Sequence, residues 1–440
     1  MQNLLLSYYG DDLTGSTDVM ESLETGGVPT VLFMRQPDEP LLARFSHCRA
    51  VGLAGTSRSQ TPGWMEDNLA PAFDWLKSLN AAVCHYKICS TFDSSPTVGN
   101  IGRAIEIGRR IFGESGVPLV VGAPQLKRHT AFGNLFAAFR GDYYRIDRHP
   151  VMSRHPVTPM NEADLLLHLA RQTSLSSGLI DLAALEAGDL PSRVDQILRD
   201  KNIVLFDVAD HATQKVVGEQ LWRVRERNPG FVAGSSGVEY ALLRAWAAKG
   251  VVQGTATHVP AGPVDRLAVV SGSVSPTTEK QIGHAMAHGY DGIPLDALQL
   301  VSENSGEAID NAVACGRASL AAGRSVILYT ALGPQADRGA EIDQVEGARN
   351  ALGRALGSIL RRLVVDEKLK RAVIAGGDTS SHALGQLSID ALTMRMPLPQ
   401  SPGSPLCLAH GGSGIDGLEI ALKGGQVGTD AYFETIRLGN

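Results

Sequence analysis

At 440 residues the chain is long for one ordinary hydrophobic core, so two domains are expected. Hydrophobic residues make up 43% and charged residues 20%, as in a soluble globular protein, and a net charge of −6 gives no support for binding nucleic acid through its phosphates. No apolar run reaches the length of a membrane span, the N-terminus lacks the basic and apolar regions of a signal peptide, and the five cysteines (Cys48, Cys84, Cys89, Cys315, Cys407) include no CxxC pair. A reducing cytoplasm is therefore expected, without a disulfide framework, a zinc knuckle, a nucleic-acid partner or a membrane partner. With 48 glycines and only 5% aromatics, the composition suits the many tight turns of an α/β fold.

Leu4-Leu5-Leu6 is a short apolar run, and Val19-Met20-Glu21-Ser22-Leu23 has helical spacing. Between them, Gly10-Asp11-Asp12-Leu13-Thr14-Gly15-Ser16-Thr17-Asp18 reads as the turn from a strand into a helix. In an open parallel sheet such a turn lies at the carboxyl end of a strand, where ligands bind. Adjacent carboxylates there can hold a metal, take a proton from an attacking hydroxyl or grip a polyol; the same residues also suit plain N-capping. Val28–Met34 reads as a second strand, after the helix stop Gly26-Gly27, and Ala50–Gly55 as a third, with Arg58 just beyond it. Arg58 can fork onto a substrate carboxylate or simply solvate the rim of the sheet. A helical pattern covers 66–80, with Leu69, Phe73, Leu76 and Leu79 on one face. Ala82–Cys89 alternates like a strand and delivers Ser90 and Thr91 to its end; the polar loop Phe92–Gly102 then opens a further helix. Val117–Pro124 is the next buried strand.

Asp147–Pro159 is too rich in proline for a helix, and its Arg148, His149, Arg154 and His155 suggest an extended loop laid across a site. Two histidines six apart make a poor metal site without a third ligand; fixing the loop or meeting an anion are the alternatives. A helix is expected over Glu162–Thr173, strands over Gly178–Leu182 and Asn202–Val208, and a strand from Phe231 that ends in Gly234-Ser235-Ser236-Gly237 before a helix over Val238–Lys249. The period lapses between Gly250 and Asp265, which sets the expected domains at 1–250 and 266–440 with 251–265 as linker.

The second half restarts with the strand Arg266–Val270, the small-residue turn Ser271-Gly272-Ser273 and a helix over Glu279–His288. Helical stretches at 305–322 and 341–363 flank the strand Ser325–Thr330. Arg371–Ala375 then runs into Gly376-Gly377-Asp378-Thr379-Ser380 and a helix, and Leu418–Leu422 leads to Lys423-Gly424-Gly425. Glycines that admit close approach, beside the free N–H groups of a new helix, suit phosphate binding, although the pattern is neither a Walker A loop nor GxGxxG. Lys423 can close over phosphates or lie in an exposed turn.

Taken together, these turns resemble the four-carbon acid sugar kinase family. The opening turn is similar to that family's Ala-Asp-Asp-Phe-Thr-Gly-Ala-Asn-Asp; Ser271-Gly272-Ser273 is similar to its Ser-Gly-Ser, Gly376–Ser380 to its Gly-Gly-Glu-Thr-Ser, and Lys423–Gly425 to its Lys-Ser-Gly. The matches keep the family's order along nearly the whole chain. The resemblance implies two α/β domains, each a mainly parallel sheet flanked by helices, with the active site in the cleft between them. It implies a sugar-acid domain first and a nucleotide domain second. It also departs from the family's Lys-x-Asp-Ser-Thr-Leu-Arg-Gly-Asn-x-Gly: Lys87, Ser90, Thr91, Asn100 and Gly102 survive, Cys89 replaces the Asp, and the inserted Phe92–Pro96 region displaces the Arg. That loss points to a variant acceptor, an oxidised or branched sugar acid such as 3-oxo-isoapionate.

The expected reaction is in-line transfer of the γ-phosphoryl group from ATP, with Mg2+ held chiefly by ATP oxygens and water rather than by protein ligands. Asp12 is the expected base, with Asp11 or Asp18 as fallback, and Lys87 assists. The acceptor is expected on Asp11, Asp12, Thr14, Arg58, Lys87, Ser90, Thr91, Asn100, Arg154 and His155. ATP is expected on Ser271, Ser273, Gly376, Gly377, Asp378, Thr379, Ser380, Gly424 and Gly425. A homo-oligomer is compatible with the sequence. A non-catalytic ATP or sugar-acid sensor is a competing reading; a nicotinamide-dependent dehydrogenase is another, which lacks its GxGxxG fingerprint.

Overall fold

The computed structural model describes residues 3–155, 157–226, 230–345 and 347–440, without the side chains of Asp378 and Thr379. The chain divides into two compact units, Met1–Ala256 and Thr257–Asn440, and 251–265 carries neither helix nor strand. Among the described residues no helix is long and apolar enough to cross a membrane.

The strands of the first unit are Leu6–Gly10 (β1), Thr30–Phe33 (β2), Ala50–Ala54 (β3), Val83–Lys87 (β4), Val117–Val120 (β5), Arg128–Ala131 (β6), Asn134–Phe139 (β7), Asp142–Arg145 (β8), Ser177–Ile180 (β9), Ile203–Phe206 (β10) and Phe231–Gly234 (β11). Eight of them form one sheet in the order β2-β3-β1-β4-β11-β5-β10-β9, with every pairing parallel. Such strands are buried on both faces, so β1 and β4 are buried throughout. Tyr9 stacks on Tyr86 across the sheet at 6.1 Å, and Phe73, from the helix Pro62–Ser78, meets Tyr9 edge-on at 6.0 Å. From β1 the chain crosses over to β2 on one side, while from β4 it crosses to β5 on the other. The carboxyl ends of β1 and β4 therefore flank a topological switch point, where an open α/β sheet leaves a crevice.

The second unit contains Ala268–Ser271 (β12), Asp291–Pro294 (β13), Val326–Tyr329 (β14), Arg371–Ala375 (β15), Ile389–Met396 (β16), Leu406–Gly411 (β17) and Glu419–Lys423 (β18). Their order is β13-β14-β12-β15-β18-β17-β16; β17 runs antiparallel to both its neighbours, and the other pairings are parallel. Val269, Val373 and Ala421 share a buried core with Ile282 and with Phe433 and Ile436 of the helix Tyr432–Leu438. Here the switch point falls between β12 and β15, whose connections leave in opposite directions.

Several sequence expectations are corrected. The small antiparallel sheet β6-β7-β8 was not anticipated. Its two hairpin turns are Phe132-Gly133, with φ 49° and 76°, and Arg140-Gly141, with φ 52° and 98°. Both central residues lie in the left-handed region, the geometry of the tight turn that Asn-Gly usually signals, but neither pair carries that signal. The antiparallel β16 and β17 were also missed. The expected helix over 341–363 is two, Gly339–Ile342 and Ala348–Asp366, because Gly347 takes φ 73°. The expected helix over Glu162–Thr173 shrinks to Leu165–Leu169, where Asp164 accepts from the N–H groups of Leu166 and Leu167 and fixes its start. The proline-rich loop is not uniformly extended: Ile146–Arg148 and Met152–Arg154 are 3-10 turns, and Pro156 lies outside the described residues.

Candidate active site

The strand β1 ends at Gly10, and the helix Leu13–Thr25 starts three residues later. Asp12 caps that helix: its Oδ1 accepts from Gly15 N at 2.6 Å, which satisfies one of the free N–H groups of the first turn. Its Oδ2 accepts from Arg58 Nη1 at 2.5 Å, so both oxygens of Asp12 are engaged. Asp11 points elsewhere. It is 5% exposed, its Oδ2 lies 3.4 Å from Arg58 Nε, and its Oδ1 is buried with no hydrogen-bond partner. Burial pushes the Asp11 carboxyl up to about 6 against the pull of Arg58. A carboxylate with a free buried oxygen and a raised proton affinity is equipped to take a proton near neutral pH.

Lys87 ends β4, next to Gly10 in the parallel register. It is 2% exposed, with Nζ 3.9 Å from Asp18 Oδ2. Gly15 marks the space these groups enclose. A Cβ there would lie 2.6 Å from Asp12 Oδ1, 2.9 Å from Lys87 Nζ and 3.7 Å from Asp11 Oδ1. A small residue at this position keeps open the spot on which two carboxylates and an ammonium converge.

Arg58 follows β3 in a 3-10 turn, with its N–H bonded to the Asp11 carbonyl at 3.0 Å. Burial lowers its proton affinity, but Asp11 and Asp12 outweigh that and hold it well above its ordinary value. The guanidinium is thus bound to two carboxylates of its own chain. Past β4, Thr91 donates from Oγ1 to Asp93, and Cys89 Sγ lies 2.9 Å from Thr91 Oγ1. Burial raises Asp93, but Arg58, the Thr91 hydroxyl and His155 together hold it below its ordinary value. Burial raises the Cys89 thiol, so it is not poised as a thiolate.

The other first-unit candidates have different surroundings. Thr14 is half-buried in the first turn of the helix, and its carbonyl accepts from Thr17 Oγ1. Ser90 is half-buried beside Thr91. Asn100 caps the helix Ile101–Phe112, taking the Arg103 N–H at 2.7 Å and donating to the Pro96 carbonyl at 3.0 Å, so its amide serves the chain itself. His155 accepts the Thr158 N–H at 3.1 Å, and His149 those of Val151 and Met152 at 3.2 Å, so both rings fix the loop. Arg154 is exposed. Among the described residues no group of three or more His, Cys, Asp or Glu side chains is placed to hold a metal ion.

In the second unit the small-residue turns follow three adjacent parallel strands, β12, β15 and β18. Gly272 N bonds the Ala375 carbonyl at 3.1 Å, and Gly376 N bonds the Lys423 carbonyl at 2.8 Å, which ties the turns together. Ser271 is fully buried at the end of β12, and Ser273 Oγ lies 3.0 Å from Thr278 Oγ1. Ser275 caps the helix Pro276–Ala287. Gly376 has φ 123°, a conformation that a side chain resists, and it leads into the helix Gly377–Leu384. Ser380 donates its hydroxyl back to the Gly376 carbonyl at 2.7 Å. A Cβ on Gly425 would lie 3.3 Å from Ser273 Oγ, so the Gly424-Gly425 turn abuts the one after β12. The side chains of Asp378 and Thr379 lie outside the described residues.

Lys423 lies in no exposed turn: it is fully buried, and Nζ donates to Thr278 Oγ1 at 3.0 Å and to the Gly424 carbonyl at 2.9 Å. Burial lowers it to about 8. Sequence reasoning named this lysine without making it a site residue. It also left out Asp93, whose charge shows only when Arg58 is seen beside it.

Residues 6–242 match a family model described as a sugar-binding N-terminal domain, and residues 268–433 one described as a nucleotide-binding C-terminal domain. The chain is 46% identical over 448 residues to a 3-oxo-isoapionate kinase of Paraburkholderia graminis, covering 99% of this chain and 94% of that one. It is 29% identical to a 3-oxo-tetronate kinase of Methylobacterium radiotolerans, covering 98% of each. A solved structure from Salmonella typhimurium LT2, described as that of a tRNA synthase, superposes with a TM-score of 0.77 at 24% identity over 98% of both chains. One from Haemophilus influenzae reaches 0.70 at 23% identity, covering 98% of this chain and 99% of that one; these two likenesses speak to the fold alone.

Proposed function

We propose the following chemistry on one premise: this chain belongs to the four-carbon acid sugar kinase family. It is a sugar-acid kinase, a phosphotransferase with ATP as donor and a hydroxyl group as acceptor. The acceptor we assign is 3-oxo-isoapionate, the sugar acid in the name of the relative at 46% identity, ahead of 3-oxo-tetronate, named in a relative at 29%. The departure around Cys89 and Phe92–Pro96 fits an acceptor unlike the family's usual one. A cytoplasmic setting fits the five free cysteines.

In this reading the first unit holds the acceptor and the second holds ATP. The observation that carries the assignment of the base is the buried, unpartnered Oδ1 of Asp11. Asp11, rather than the expected Asp12, takes the proton of the attacking hydroxyl. Asp12 is already the helix cap and the partner of Arg58, and it keeps the turn and the guanidinium in register. Lys87 offsets negative charge on the transferring phosphoryl group. The backbone N–H groups of the turns after β12, β15 and β18 would hold the ATP phosphates, and the buried Lys423 would add positive charge there. Mg2+ would be held chiefly by ATP oxygens and water, and would supply charge neutralisation on the phosphates.

The test is acceptor-dependent ADP release across a panel of sugar acids that includes 3-oxo-isoapionate, 3-oxo-tetronate, threonate and erythronate. The expected result is the highest kcat/KM on 3-oxo-isoapionate. ATP binding with no ADP release on any acid would discard the kinase reading in favour of a sensor.

A further inference from the structure

A sugar acid brings a carboxylate into a region already crowded with Asp11, Asp12, Asp18 and Asp93. Its two evident cations are committed: Arg58 pairs with Asp11 and Asp12, and Lys87 lies beside Asp18. A third cation is placed differently. Arg128 starts β6, and the Ala123–Arg128 bridge pins it just past the carboxyl end of β5, on the same edge of the sheet as Asp11 and Lys87. Its Nη1 donates to the carbonyls of Leu126 and Lys127, while its Nε is buried with no hydrogen-bond partner. Among the described residues no carboxylate pairs with it; the titratable groups it feels are the Cys89 thiol and the His149 ring. Cys89 is also within the field of Arg58 and Asp93, so Arg128 and the candidate acceptor site share that neighbour.

A half-buried guanidinium with an empty donor is costly unless a ligand completes it. The contrast within the chain is Arg371, fully buried in the second unit, which holds Glu419 and the carbonyls of Gly262, Ile436 and Arg437. Burial pulls the proton affinity of Arg128 below its ordinary value because nothing anionic offsets it. We propose that Arg128 holds the carboxylate of the acceptor sugar acid, taking the part expected of Arg58. This rests on the sugar-acid reading above. It makes Arg128 a specificity residue: the charge of the acid is recognised there, while the hydroxyl end reacts at Asp11.

The experiment compares binding of 3-oxo-isoapionate with binding of its uncharged primary amide by calorimetry, in the full-length wild type, Arg128→Met and Arg128→Lys, with ADP release measured in parallel. Wild type is expected to prefer the acid by roughly 10- to 100-fold, the range of a charge-assisted hydrogen-bonded pair. Arg128→Met should reduce that preference to near unity while amide binding is kept, and Arg128→Lys should restore part of it. Equal loss of acid and amide in Arg128→Met, with the preference unchanged, would show a purely structural arginine and overturn the proposal. Loss of the preference without ADP release in any variant would keep Arg128 as the carboxylate ligand and remove the kinase reading. A wild type that binds neither compound would overturn both.

Discussion

The turns after β1 and β4 in the first unit, and those after β12 and β15 in the second, hold the same position in their own sheets, at a switch point on the carboxyl edge. Their chemistry is opposite. The first is built from side-chain charge: Asp11, Asp12 and Asp93 around Arg58, with Lys87 beside Asp18. The second is built from backbone N–H groups, glycines and hydroxyls, with the buried ammonium of Lys423. The difference follows from the task. Accepting a hydroxyl proton needs a carboxylate made basic by burial, and nearby cations keep that carboxylate in place. Holding phosphates needs many donors aimed at one anion, and the start of a helix supplies them. In the function proposed, one topology serves a base in one unit and an anion receptor in the other.

The comparison breaks most sharply at Asp11. Asp11→Asn removes the base and should lower kcat by about 1000-fold, within the usual span for a general base, while leaving the KM for ATP unchanged. Normal turnover in this variant, with the loss found in Asp12→Asn instead, would return the role to Asp12. Gly15→Ala places a methyl within 2.9 Å of Lys87 Nζ and should lower kcat/KM for the acid by about 100-fold with little change for ATP, measured by steady-state kinetics.

Two pH measurements separate the sites. Asp11 sits at about 6, above its ordinary 3.8, so kcat/KM should fall about tenfold per pH unit below about 6. The same shift has a stability sign. A carboxyl with raised proton affinity in the folded state favours the fold at low pH, and that contribution is lost as pH rises through about 6. Asp11→Asn should therefore raise Tm more at pH 8 than at pH 5 in thermal unfolding. In the second unit, Lys423 at about 8 should make the KM for ATP climb as pH rises through about 8, and Lys423→Met should raise that KM by about 10-fold at pH 7 without altering the KM for the acid. The smallest effect is at Asn100, where replacement by Ala removes a helix cap and should cost about 1 kcal/mol in urea unfolding, with the acid's KM unchanged.

Much of this was legible in the linear chain because βα units are local. The apolar runs at Ala50–Ala54, Val83–Lys87 and Arg371–Ala375, each followed by small or charged residues, mark strands and the turns at their ends. The resemblance at Gly10–Asp18 and Gly376–Ser380 then named the chemistry. What escaped reading was non-local or unsignalled: hairpins turned by Phe132-Gly133 and Arg140-Gly141, and a helix broken at Gly347.

The order of turns, their residue types and the kinase family can be read from the primary structure, since each depends on residues close together in the chain. Which of two neighbouring aspartates is free, and which of three cations is unpaired, cannot. Asp11 and Asp12 differ because Asp12 caps the helix and Arg58, 46 positions from it, folds back onto it more tightly than onto the more buried Asp11. Arg128 stands out only because its Nε is buried without a hydrogen-bond partner and, among the described residues, no carboxylate pairs with it. Proton affinity and pairing are properties of surroundings, and the fold assembles those surroundings from distant parts of the chain.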